Sequence, residues 1–317
     1  MNEEAILTYT VGDPFSDIIA STWCEGIDNV DETVDCEFLS HGIVNTSIAG
    51  TYILIYQATD NAGNTAELRL TVTVSDVVES NPDVLAYYSS AEGLSGNTLF
   101  LELRSIIQAD MIKVSYSDAR YILDEADQDP NNSNNVLTIY DRQSVLGAWD
   151  GTTYTREHVW PNSRLGVSRV SNSTKNIGTD LHNLRATIQS TNSSRSNKYF
   201  DFTTTNDAYY PGEDDKGDVA RILFYMVVMY PNLDIVNVIT SAMDEATYKE
   251  DGTYMAKMSV LLQWHIEDPV DDFERNRNEV IYNYQNNRNP FIDNPDYVAL
   301  LWGNNPSTVS NSSQFIN

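Results

Sequence analysis

Basic side chains are scarce in this chain: 19 Lys and Arg stand against 46 Asp and Glu, a formal charge of −27 over 317 residues. Such a body repels polyanions as a whole, which excludes general electrostatic adhesion to nucleic acid or to an acidic membrane. Cysteine is scarcer still, with only Cys24 and Cys36. Two cysteines cannot build a disulfide-dense scaffold, and with no third one beside them a zinc site is not expected. They form either one small disulfide loop in an oxidising environment or two free buried thiols. No run of about 18 apolar residues occurs, and the most apolar stretch, Ile222 to Tyr230, is too short to span a bilayer as a helix. The opening Met1-Asn2-Glu3-Glu4 lacks the basic region and apolar core of a signal peptide. Either export is absent or an initiator methionine replaces a removed leader, and the second is favoured.

What is present reads as a soluble globular protein: 41% hydrophobic residues and 19 tyrosines in a chain long enough for roughly two domains. Up to Glu79 the pattern alternates, with strands expected at Ile43 to Asn45, Gly50 to Ala58 and Ala66 to Val74 and a turn at Asp60 to Asn64. Period-two patterning with such turns predicts antiparallel hairpins in a sandwich. This segment carries 1 basic residue against 14 acidic ones, so it does not bind DNA itself. The pattern breaks around Ser75 to Pro82, giving expected domains over 1–79 and 80–303 and a flexible tail over 304–317. Beyond the break, helices are predicted at Asn97 to Ala109, Ser117 to Ala126, Asp218 to Tyr230, Met255 to Ile266, Val270 to Gln285 and Pro295 to Trp302. Strands are expected at Val136 to Tyr140 and Tyr154 to Val159. The run Asp127 to Asn135 lacks the glycine and glutamate of a calcium loop and reads as a polar surface loop.

Against the acidic background one window reverses sign. From Gly151 to Phe200 seven bases face two acids, a net of +5. A basic island on an acidic body suits a site that handles phosphate, although a solvated basic loop has the same signature. Inside the island lie Arg156-Glu157-His158-Val159-Trp160-Pro161 and, further on, Asn192. Cutting a phosphodiester needs a base for water, a cation to neutralise the phosphate, and positive groups that hold the polyanion. His158 offers the base, and Glu157 with Asn192 offers hard oxygen ligands of the kind Mg²⁺ accepts while keeping several waters. On a regular strand Glu157 and His158 point to opposite faces, so a local irregularity is expected there.

These residues belong to an ordered series: Arg156 to Pro161, Asp180-Leu181-His182-Asn183-Leu184-Arg185, Asn192 to Asn197, Lys216 to Arg221 and Asn287-Arg288-Asn289-Pro290-Phe291. The series resembles the bacterial endonuclease I family, which is similar to the wider ββα-metal, or His-Me finger, nucleases. The segment before it, with Gly50-Thr51-Tyr52 and Ala58 to Asn64, resembles a bacterial immunoglobulin-like module. The resemblance implies an α+β chain: a small all-β immunoglobulin-like sandwich followed by a mainly helical nuclease domain. It implies a secreted or cell-surface endonuclease acting on DNA and perhaps on RNA, with Mg²⁺, or else Mn²⁺ or Ca²⁺, on Glu157 and Asn192. His158 matches the general base; Asn183 is expected to orient its ring, Arg185 and Arg195 to contact phosphate, and Arg156, Arg164 and Lys198 to bind nucleic acid. The immunoglobulin-like module would contact the cell surface or another protein. The family usually continues Leu-Arg-Pro or Leu-x-Pro where Ala186 stands here. A surface adhesion protein with an inactive nuclease-like scaffold is the competing reading. Serine hydrolase chemistry is set aside, because the Gly-x-Ser-x-Gly elbow is missing.

Overall fold

The computed structural model describes residues 6–10, 24–28, 32–39, 44, 50–75, 82–236 and 253–303. The tail over 304–317, and all but Val44 of the strand expected at Ile43 to Asn45, lie outside them. The chain divides into two units, Met1–Leu85 and Ala86–Asn317.

Up to Ser75 the described residues of the first unit are β-stranded. Its strands β1 (Ile6–Thr10), β2 (Glu25–Asp28), β3 (Glu32–Phe38), β4 (Gly50–Thr59) and β5 (Thr65–Ser75) form a sheet in the order β1-β5-β4-β3-β2. The register of β4 on β5 runs unbroken from Gly50 opposite Val74 to Thr59 opposite Thr65. The turn between them is fixed by Asp60, whose carboxylate accepts from the Asn64 backbone N–H at 2.7 Å. Alternation puts Leu54, Tyr56, Leu70, Val72 and Val74 into one buried cluster with Val44. Cys24 and Cys36 form the disulfide, with Cα atoms 5.6 Å apart.

The second unit is α+β and mainly helical. It contains α1 (Pro82–Tyr87, shared with the boundary), α2 (Gly96–Gln108) and α3 (Tyr116–Ala126), then a small sheet of β6 (Gln128–Asp129), β7 (Asn132–Leu137) and β8 (Ser144–Leu146). Next come β9 (Thr155–His158), β10 (Leu184–Thr187), α4 (Gln189–Arg195), β11 (Tyr199–Phe200), β12 (Ala208–Tyr209) and α5 (Lys216–Met229). The chain continues with β13 (Leu233–Val236), β14 (Thr253–Lys257), α6 (Met258–Glu267), α7 (Asp272–Gln285), α8 (Pro290–Asp293) and α9 (Tyr297–Trp302). Every residue of α5 is buried, which makes it the central helix, with α2 and α6 packed against it. Gly217 permits that packing, because a Cβ there would lie 2.0 Å from the Asp268 carbonyl oxygen.

Several expected boundaries shift for local reasons. The cap of α3 is Ser115, whose hydroxyl accepts from the Asp118 N–H at 3.1 Å. Helix α7 starts at Asp272 rather than at Val270, because the Asp271 side chain caps it by accepting from the Glu274 N–H at 2.9 Å. Residues 255–257 are strand, since β14 finds parallel partners in β13 and β11 before α6 begins. The run read as a surface loop is instead a hairpin of β6 and β7. Its first residue, Asp127, is fully buried; it accepts from Nε of Arg277 at 2.8 Å and from the Ala186 N–H at 2.6 Å, and pairs with Nε of Arg185 at 3.0 Å. Those partners come from α7 and β10, which the local sequence around Asp127 does not reveal.

Candidate active site

Strands β9 and β10 form an isolated antiparallel pair, with Leu184 opposite His158, Arg185 opposite Glu157 and Ala186 opposite Arg156. The register is unbroken, so the expected irregularity is absent. The geometry solves the problem differently. Ala186 turns its N–H to Asp127 and its carbonyl to the Ile139 N–H, away from β9. Arg156 and Ala186 are therefore a non-hydrogen-bonded pair, and the Arg156 carbonyl faces the open edge of β9. There Asn192 of α4 donates to it through Nδ2 at 3.4 Å. A cleft of about 500 Å³ is lined by Glu157, His158 and Asn192, together with Tyr116, Arg156, Asn162, Arg169, Gln189 and others. An open edge is accessible to side chains from both faces of a strand.

Each of the three central side chains is held from outside the cleft. Glu157 is buried, and Oε1 accepts from the Tyr140 hydroxyl at 2.9 Å and lies 3.4 Å from Arg195 Nη1. Burial pushes its carboxyl up to about 7, against the opposing pull of Arg195 and Tyr140. His158 places Nε2 2.7 Å from the Gly178 carbonyl. A carbonyl only accepts, so Nε2 carries the proton and the neutral ring keeps its lone pair on Nδ1. Burial is the largest influence on this imidazole and brings it down to about 4. Tyr116 stacks on the ring at 5.5 Å, and the Arg156 guanidinium sits 3.6 Å from the centre of the same tyrosine.

The donor set fits a hard cation with few protein ligands. Both supports of Glu157 converge on Oε1, and among the described residues Oε2 and the Asn192 Oδ1 have no hydrogen-bond partner. Among the described residues no cluster of three or more His, Cys, Asp or Glu is arranged to hold a metal. One carboxylate, one amide and waters is the pattern Mg²⁺ accepts, and it falls outside such a cluster.

Other expected residues are built into the scaffold. Asn183 is fully buried and does not reach the imidazole; its amide donates to the Trp160 carbonyl at 3.0 Å and accepts from the Trp160 N–H at 2.6 Å. Arg185 is buried between Asp127 and Asp218, each at 3.0 Å, and does not line the cleft. Arg195 is fully buried, with Nη1 on the Ser196 carbonyl at 3.1 Å and Nη2 on the Val159 carbonyl, so it clamps the end of β9. Arg164 is buried with Nε on the Asn197 carbonyl at 2.7 Å, and Lys198 is half-buried and does not line the cleft. Of the expected cations Arg156 alone lines it, joined by the exposed Arg169. Arg169 belonged to the basic island and its charge was the available signal. Nothing in the local sequence distinguishes Tyr140 or Tyr116 from the other tyrosines.

Residues 95–296 match the sequence model of the Endonuclease I family, and residues 1–74 match that of the bacterial surface protein Ig-like domain. The chain is 40% identical over 243 residues to a protein named extracellular ribonuclease from Bacillus subtilis (strain 168), covering 69% of this chain and 79% of that one. A second extracellular ribonuclease, from Bacillus amyloliquefaciens, is 38% identical over 251 residues, covering 73% and 82%. A solved Rib structure from Streptococcus pyogenes aligns at 18% identity with 23% of this chain and 89% of its own, with a TM-score of 0.16.

Proposed function

We propose that this chain, which belongs to the endonuclease I family and is a metal-dependent nuclease, is secreted and cuts DNA and RNA internally with little regard to sequence. What supports the reading most directly is the convergence of Glu157, His158 and Asn192 on one cleft. His158 is the general base: its Nε2–H is engaged by the Gly178 carbonyl, and Nδ1 takes the proton of the attacking water. The low basicity that burial gives this ring keeps it neutral, and so able to accept, throughout the neutral range. Glu157 and Asn192 would hold the cation, which when bound neutralises charge on the scissile phosphate and the departing oxygen. Arg156 and Arg169 hold the phosphate backbone along the cleft. Contacts of this kind carry no base information, which accounts for sequence tolerance.

RNA enters the proposal from the names of the two Bacillus relatives, and export from the same names and the surface-type first domain. That domain, strongly acidic, is the part that would contact the cell surface or another protein. The test is cleavage of plasmid DNA and of a structureless RNA by wild type and His158→Ala, with and without EDTA. His158→Ala should lose about 10²- to 10⁴-fold in rate while binding nucleic acid normally. Cleavage that survives either the substitution or the chelator contradicts the mechanism.

A further inference from the structure

Behind Glu157, outside the cleft, lies a turn that the chemistry described so far does not use. Tyr140 and Arg142 both adopt positive φ, +78° and +45°, conformations that non-glycine residues rarely take without compensation. The compensation is visible. The Tyr140 N–H donates to Asp215 at 2.8 Å, and Arg142 pairs with the same carboxylate at 3.0 Å and donates to the Asp214 carbonyl at 2.8 Å. Between the two strained residues, Asp141 accepts from the Thr138 hydroxyl at 2.6 Å through one oxygen and from the Thr191 hydroxyl at 2.7 Å through the other. Thr191 is the residue before Asn192.

The strained turn therefore touches one proposed cation ligand from behind and the residue beside the other. Tyr140 donates its hydroxyl to Glu157 Oε1, and Asp141 ties down the helix at the residue beside Asn192. Arg195 Nη1 lies 3.4 Å from the same Oε1, so both supports fall on one oxygen of a residue that lines the cleft. A free carboxylate rotates about its last bond and presents either oxygen; this one is held in a single presentation. We propose that Tyr140 is a positioning residue for cation binding, which orients the Glu157 carboxylate so that Oε2 alone serves as ligand, with Asp141 fixing Asn192 in the same turn. The proposal rests on the assignment of Glu157 as a ligand.

The experiment measures binding of Mg²⁺, and of Mn²⁺ as a spectroscopic substitute, to the full chain without nucleic acid. Wild type is compared with Tyr140→Phe, Glu157→Gln and Tyr154→Phe, with melting temperatures in EDTA as a check on folding. Tyr154 is a buried tyrosine whose hydroxyl donates to the Arg120 and Gly147 carbonyls, both at 3.0 Å, so its variant reports the loss of a purely structural hydroxyl. Removing an outer partner of a metal ligand weakens affinity by about 10- to 100-fold, and that weakening is expected for Tyr140→Phe and not for Tyr154→Phe. Affinity unchanged in Tyr140→Phe but lost in Glu157→Gln overturns the positioning role and leaves the ligand assignment standing. Affinity unchanged in Glu157→Gln overturns both. If Tyr140→Phe does not fold, Thr191→Val, which cuts the Asp141 tie, tests the Asn192 half of the proposal; weaker binding supports that half and wild-type binding overturns it.

Discussion

Replacing Asp127 by alanine separates two descriptions of the same residue. As part of an exposed polar loop it would tolerate the change within about 0.5 kcal/mol. In the fold it is fully buried, accepts from Arg277 and the Ala186 N–H at 2.8 and 2.6 Å, and pairs with Arg185 at 3.0 Å. Removing it strands two buried guanidinium groups, although Arg185 keeps Asp218 and Arg277 keeps the Leu181 carbonyl at 2.7 Å. Breaking a buried pair from one side destabilises by about 3–5 kcal/mol, and an orphaned backbone N–H adds about 1–3 kcal/mol where no water replaces the acceptor. Because both arginines retain a partner, about 4 kcal/mol is the expected total. For a unit of this size that corresponds to a fall of about 8–16 °C in melting temperature. Urea unfolding followed by tryptophan fluorescence measures the free energy, and calorimetry measures the melting shift. The double variant Asp127→Ala with Arg277→Met should recover part of the loss, since it removes one of the stranded charges. A change below about 1 kcal/mol for Asp127→Ala, or no recovery in the double variant, would refute the assignment of this carboxylate as a buried hub.

Three further outcomes follow from other parts of the molecule. Burial brings the fully buried His182 imidazole down from 6.5 to about 4, so the unfolded chain takes up its proton first as pH falls. The stability it contributes is complete above pH 6.5 and is lost as pH drops towards 4, about 3 kcal/mol over that window, and urea unfolding of wild type and His182→Gln should differ in pH slope accordingly. Arg169→Ala should weaken nucleic-acid binding about equally for all sequences and lower the slope of log affinity against log salt by about 1, whereas Lys198→Ala should change neither; equal effects would mean that the cleft does not guide the substrate. Replacing Cys24 and Cys36 by serine should cost the first unit about 3 kcal/mol, as expected for a loop closed between residues 12 apart, while leaving cleavage by the second unit unchanged in an activity assay.

The parts of the fold set by local pattern were readable in advance. Alternation in Gly50 to Val74 gave the hairpin, apolar periodicity gave α2 and α3, because a buried stripe leaves its period in the chain, and a continuous apolar run gave α5. The burial of Asp127 and the strand before α6 were not readable, since their partners lie on α7, β10, β11 and β13, far off in sequence. The site divides along the same line. Glu157, His158 and Asn192 stood out by residue type within a motif. The guanidinium groups did not sort themselves: Arg156 and Arg169 line the cleft while Arg185, Arg195 and Arg164 are buried, and only long-range pairing, with Asp127, Asp218 and Glu157 among the partners, decides which is which.

The bond from the Ala186 N–H to Asp127 ties two distant positions together in any future redesign of this chain. A proline at position 186 would delete the donor and press a ring against the aspartate, so the two sites have to be altered jointly or left alone. A stabilisation campaign that changes residues one at a time would misjudge this position, and would do so on the strand paired with the one that carries Glu157 and His158.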